Sequence, residues 1–212
     1  MPLLREIMPE PEDNAIVSQI SASQSNASQI SASQNGSCED AAEIAAMVDK
    51  AHQIFKERRQ DQFSLAVQLY QDACKAGSNR AKYNLGSLYM SGLAVPKDYR
   101  KALALFEEAA AFGDFDAMFN IAYIYDRGFL GEQDMQNARL WYERAAQAGS
   151  GRAQYDMGAI CEHGRGVPID LTLARYWYEQ ALQSGVARAR DNLRSIEAII
   201  SVSASNSTSE PV

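Results

Sequence analysis

Cys161-Glu162-His163-Gly164 sets a thiol and an imidazole two residues apart at the end of an apolar-periodic segment. Those are the residue types of a nucleophile with its base, or of two metal ligands. The spacing defeats both readings. Side chains at i and i+2 of a helix point about 200° apart and do not converge, and a zinc site needs three or four converging ligands. The only other histidine is His52. Gly164-Arg165-Gly166 resembles a phosphate loop, but it follows a helix and lacks the Gly-Lys-Ser/Thr ending that holds phosphate and magnesium. A helix stop and a tight turn account for it. No Ser-x-x-Lys nucleophile motif is present. The sequence therefore predicts no catalytic, cofactor-binding or metal-binding residue, and a protein that is not an enzyme.

The elements that carry these residues follow from a fixed period. Gly77, Gly113, Gly149 and Gly185 are each 36 residues apart, and the same step links Ala81, Ala117, Ala153 and Ala189, then Ala66, Ala102, Ala138 and Ala174, then Asp98, Asp134 and Asp170. Such a period marks a solenoid of stacked supersecondary units. Within one unit, Ala81, Leu85, Leu88 and Tyr89 fall on one helical face. Gly92 is a helix stop, Asp98 an N-cap, and Ala102, Leu105, Phe106, Ala109 and Ala110 the apolar face of a second helix. The predicted organisation is a solenoid over 39–200, with a degenerate unit 39–78, full units 79–114, 115–150 and 151–186, and a capping helix 187–200. Ser37-Cys-Glu-Asp40 resembles a capping box for a long first helix to about Gln60, followed by a helix around Ser64–Lys75. Trp141 and Trp177 share a slot with Leu69 and Leu105, which makes it a core slot.

Residues 1–38 and 201–212 are Ser-, Gln- and Asn-rich and lack the apolar content that offsets ordering entropy, so they are expected to be disordered. The leader contains a duplicated Ser-Gln-Ile-Ser-Ala-Ser-Gln, at 18–24 and 28–34. Such a stretch could serve as the uncleaved secretion signal of a bacterial effector, an alternative against which Glu6, Glu10 and Glu12 weigh. The net charge is −7. Without a basic face, nucleic acid is not an expected partner. No apolar run is long enough to span a membrane. Arg5 and Glu6 interrupt Leu3, Leu4 and Ile7, which argues against cleavable export. Cys38, Cys74 and Cys161 cannot all pair within one chain. Free thiols and a cytoplasmic location are expected.

The strings Ala81-Lys-Tyr-Asn-Leu-Gly-Ser-Leu-Tyr89, Gly92-Leu-Ala-Val95-Pro-Lys-Asp98 and Ala153-Gln-Tyr-Asp-Met-Gly158, with Gly164-Arg-Gly166-Val167-Pro-Ile-Asp170, resemble the Sel-one-like repeat (SLR), a relative of the tetratricopeptide repeat. The middle unit departs from the pattern where Gly131 stands in place of Val95 and Val167. The resemblance implies an all-α fold, a right-handed α/α superhelix of antiparallel helix pairs, acting as an adaptor or scaffold for a protein or peptide. Some cysteine-rich SLR proteins are described as binding or hydrolysing β-lactams. That subfamily staples each repeat with a cysteine pair, whereas Cys74 and Cys161 lie in different units.

By analogy with tetratricopeptide solenoids, the first helix of each pair lines the concave face. Tyr83, Phe119 and Tyr155 form an aromatic ladder along it, and the family pattern itself places an aromatic there. Tyr123 is more informative, because Ser87 and Ala159 fill its slot in the neighbouring units. A large amphipathic aromatic where packing asks for a small residue is an interface anchor. Met90, Asp126, Arg127 and His163 complete the expected protein-binding groove. Ile196, Ile199, Ile200 and Val202 near the last helix allow self-association through that end.

Overall fold

The computed structural model describes residues 38–207, with side chains described over 39–201. The leader, its duplication and the secretion-signal reading lie outside the described residues. Every regular element among the described residues is helical: α1 (Cys38–Lys56), a 3₁₀ turn (Gln60–Gln62), α2 (Phe63–Lys75), α3 (Asn79–Ser91), α4 (Tyr99–Ala110), α5 (Phe115–Asp126), α6 (Met135–Gln147), α7 (Gly151–His163), α8 (Leu171–Gln183) and α9 (Ala189–Ser207). Contacts divide them into two compact units, α1 to α4 and α5 to α9, meeting in sequence at Phe112 and Gly113. Two ends differ from expectation. Helix α1 stops at Lys56 rather than near Gln60, where Arg58 takes a positive φ of 53°, and α9 continues to Ser207, past the expected end at 200.

The period is built from caps and glycines. Ser78, Asp114 and Ser150 each accept a hydrogen bond from the backbone three residues on, opening α3, α5 and α7. Asp98, Asp134 and Asp170 do the same for α4, α6 and α8. Gly77, Gly113, Gly149 and Gly185 take φ of 90°, 86°, 99° and 88°, the left-handed region that a side chain resists. The loop inside each of the three full helix pairs is pinned at the same place: the Asp98, Asp134 and Asp170 N–H groups donate to the carbonyls of Tyr89, Tyr125 and Cys161.

In each pair the first helix meets an aromatic on the second. Tyr83 lies 5.9 Å from Phe106, Phe119 5.5 Å from Tyr142 and Tyr155 5.3 Å from Tyr178, measured between ring centroids. The close approach needs small residues. A Cβ on Gly86 would stand 2.8 Å from the Phe106 ring, and one on Gly158 2.7 Å from the Tyr178 ring. The period-36 alanines Ala66, Ala102, Ala138 and Ala174 are fully buried. Each unit has its own core, one around Phe55, Tyr70, Leu85 and Leu88, the other around Ile160, Trp177, Tyr178 and Ile196. Trp141 packs partly buried against the second core, in keeping with its slot.

Candidate functional site

The first helices of the second unit, α5, α7 and α9, lie side by side and carry five of the eight residues expected to bind a partner, with a sixth, Arg127, capping the end of α5. Cation on aromatic ring recurs from one helix to the next. The Arg152 guanidinium sits 4.0 Å from the Phe119 ring centroid, and Arg188, just before α9, 3.8 Å from that of Tyr155. Arg127 covers the Tyr123 ring at 5.2 Å, while Phe129 meets that ring edge-on at 5.7 Å. Tyr123 is half-buried, Arg127 exposed and Phe129 partly exposed. These three form an amphipathic patch at the C-terminal end of α5.

The remaining expected residues are placed differently. Tyr83 and Phe119 are buried, their rings taken up by Phe106 and Tyr142, so neither offers a free aromatic face. Tyr155 is half-buried, and its hydroxyl donates to Asn192 Oδ1 at 3.3 Å. Asp126, expected to line the groove, is only 9% exposed. Its carboxylate accepts from Tyr142 Oη at 3.4 Å, from Gln133 Nε2 at 3.2 Å and from Arg165. It is a packing hub that ties the 127–134 loop and the turn after α7 to the end of α5. Its physical reason is register: Tyr178 makes the same bond one repeat later, donating to Glu162 at 2.7 Å. Met90 is half-buried in the first unit, and His163 is exposed at the end of α7. Cys161 is buried, so its thiol and the His163 imidazole do not converge.

Carboxylates flank the arginines. Burial, reinforced by Asp114, raises the Asp116 carboxyl to about 6 against the pull of Arg152. Burial likewise raises Asp156 to about 6, with Arg188, Arg152 and Arg165 opposing and Asp126 assisting. Asp114 is raised by burial as well. The Tyr142 and Tyr178 hydroxyls are pushed upward, first by burial and then by the carboxylates they face. The sequence signal for this belt is the slot holding Arg80, Asp116, Arg152 and Arg188, charged from the first full unit onward, whereas Ile44 fills it in the degenerate unit. Among the described residues, no three His, Cys, Asp or Glu side chains gather as a metal site would require. No described helix is long and apolar enough to cross a membrane.

This architecture is an all-α solenoid of helix pairs. Residues 58–78, 79–114, 115–150 and 151–186 match the Sel1 repeat, and the chain belongs to that family. It is similar to a Sel1 repeat protein from Oxalobacter formigenes, at 31% identity and a TM-score of 0.65, over 71% of this chain and 62% of that one. It is also similar to c5321, a protective antigen of uropathogenic Escherichia coli with an SLR fold, at 25% identity and a TM-score of 0.65. That alignment covers 72% of this chain and 33% of the antigen, so both solved relatives extend well beyond the matched region. No curated protein matches the chain. Sel1 repeat proteins are generally protein-interaction scaffolds.

Proposed function

We propose that the chain is a non-catalytic adaptor that holds a protein or peptide on the face lined by α5, α7 and α9, with Tyr123 as anchor. One observation carries the reading. Tyr123 stands in a slot that Ser87 and Ala159 fill elsewhere, so the packing common to the repeats does not require its ring, and beyond its contact with the core the ring is held by Arg127 and Phe129. Its two side-chain torsions are thus ordered before a partner arrives, which lowers the entropic cost of binding. Aromatic and arginine side chains in partly desolvated positions are the commonest interface hot spots. Tyr155 and His163 extend the patch along α7, and Met90 belongs to the first unit's own surface. Tyr83, Phe119 and Asp126 support the face from beneath and are not contact residues in this reading.

The test is selection of a displayed random-peptide library on the full chain, followed by titration of the enriched peptides against wild type and the variants Tyr123→Ala and Arg127→Ala. Tyr123→Ala is expected to weaken binding about 30-fold, the loss typical of a hot spot. Enriched peptides that bind both variants as tightly as wild type would place the site elsewhere.

A further inference from the structure

His52 occupies a slot that the other repeats fill with Leu88, Ile124, Ile160 and Ile196. All four are fully buried, and His52 is almost as deep. An imidazole has thus replaced an aliphatic side chain in the core of the first unit. Both of its ring nitrogens are buried without a hydrogen-bond partner. Other buried polar atoms on α2 and α3 of the same unit also lack a hydrogen-bond partner. From α2, Tyr70 is fully buried with its hydroxyl unbonded. Its equivalents Tyr142 and Tyr178 bond to Asp126 and Glu162, whereas the matching position here is Ile54. From α3 come the Asn84 amide, buried and unbonded, and Arg80, whose Nε is buried and unbonded. The Arg80 guanidinium pairs with Asp49 of α1 at 2.8 Å.

The charges around the ring all bear on its protonated form. Arg80 from α3 and Lys56 from α1 repel an imidazolium; Asp49 attracts it, but it is mostly exposed and already engaged by Arg80. Burial comes first among the causes that hold His52 below the ordinary histidine value of 6.5, with Arg80 and Lys56 adding to it. A cation formed here has no carboxylate free to receive it, and because the ring is only 4% exposed, hydrating it requires the helices to separate.

We propose that His52 makes the first helix pair an acid-sensitive element, in which mild acid opens α1 away from α2 and α3 while α5 to α9 stay folded. The sign follows from linkage. A base held below its unfolded value favours the fold in its neutral form. That contribution is complete above pH 6.5 and is lost progressively as pH falls below it. The second unit responds in the opposite sense, because Asp116 and Asp156, raised to about 6, favour its fold as they gain protons. The two units therefore diverge over one pH interval.

Hydrogen exchange of the full chain, followed by mass spectrometry at pH 7.5 and 5.5 with times scaled for intrinsic chemical exchange, reads the units separately. Peptides from α1 are expected to lose up to about tenfold of their protection at pH 5.5, the ratio set by an unfolded histidine of 6.5 and a folded form that resists protonation. Peptides from α7 and α8 are expected to keep theirs. In His52→Leu, which installs the residue found at Leu88, the α1 loss should vanish. Equal α1 protection at both pH values, or a loss that persists in His52→Leu, would overturn the proposal. A wild-type titration of the two histidine rings by NMR, assigned with His163→Gln, does not depend on the leucine variant folding. A His52 that protonates at 6.5 or above within the native fold also overturns it.

Discussion

Replacing Asp126 by alanine removes the acceptor on which three donors converge, and its cost can be worked from the contacts. Gln133 Nε2 at 3.2 Å and Tyr142 Oη at 3.4 Å are neutral donors, each contributing about 1 kcal/mol, with the longer bond at the lower end. The Arg165 side chain is 39% exposed, so solvent screens its ion pair to about 1 kcal/mol. The alanine variant should therefore lose about 2–3 kcal/mol, and Asp126→Asn, which keeps one acceptor oxygen, about 1–2 kcal/mol. Trp141 and Trp177 both belong to the second unit. Urea unfolding followed by tryptophan fluorescence thus reports the unit in which the hub lies. A thermal melt should fall by roughly 4–10 °C for the alanine variant. A double-mutant cycle with Arg165→Ala should return a coupling of about 1 kcal/mol. A loss below about 0.5 kcal/mol, with no coupling, would refute the hub and return Asp126 to the surface as a residue free to meet a partner.

Other expectations follow from the same contacts. Gly158→Ala brings a Cβ to 2.7 Å from the Tyr178 ring. Overpacking of about 1–3 kcal/mol exceeds the helix-propensity gain of about 1 kcal/mol. Because Ala122 fills the same slot one repeat earlier, the net loss should sit near 1 kcal/mol; a more stable variant in urea would contradict the packing. Asp156 is raised from 3.8 to about 6, so its favourable contribution is complete below pH 3.8 and is lost as pH rises through 6. Asp156→Asn should accordingly raise the melting temperature at pH 7.5 and change it little at pH 4. A gain that is equal at both pH values would remove the carboxylate as its cause. Burial pushes the Cys74 thiol up to about 12 and raises Cys161 too. Iodoacetamide at pH 8 should modify both at least tenfold more slowly in the native chain than in urea, and rapid native labelling would show them accessible.

The repeat was legible because its determinants are local. Gly77, Gly113, Gly149 and Gly185 announce left-handed backbone, and the N-cap aspartates lie a fixed distance beyond each helix stop, so the helix pairs could be placed from the sequence alone. Comparing slots singled out Tyr123 as a large side chain in a column of small ones, and the structure sets Arg127 and Phe129 against its ring. The burial of Asp126 was not legible because its partners are remote: Arg165 stands 39 residues away, and Gln133 belongs to the loop that departs from the repeat pattern at Gly131. The burial of Tyr83 and Phe119 depends on how closely the second helix approaches, which Gly86 and Ala122 permit but do not state. The length of α9 was underestimated because its last residues, Ser201 to Ser207, are Ser-rich and carry little apolar signal, whereas the helix runs through them. His52 could have been found by the comparison that exposed Tyr123, as a lone imidazole in a column of leucine and isoleucine.

The adaptor reading is tested most directly by the affinity of one library-selected peptide for wild type, Tyr123→Ala and Tyr176→Ala, each shown by circular dichroism to be folded. Tyr176 is an exposed aromatic on α8, outside the α5, α7 and α9 face. A loss of about 30-fold in Tyr123→Ala, with Tyr176→Ala unchanged, is the predicted result. Equal binding by all three, or a loss confined to Tyr176→Ala, would contradict the assignment of the partner to this face.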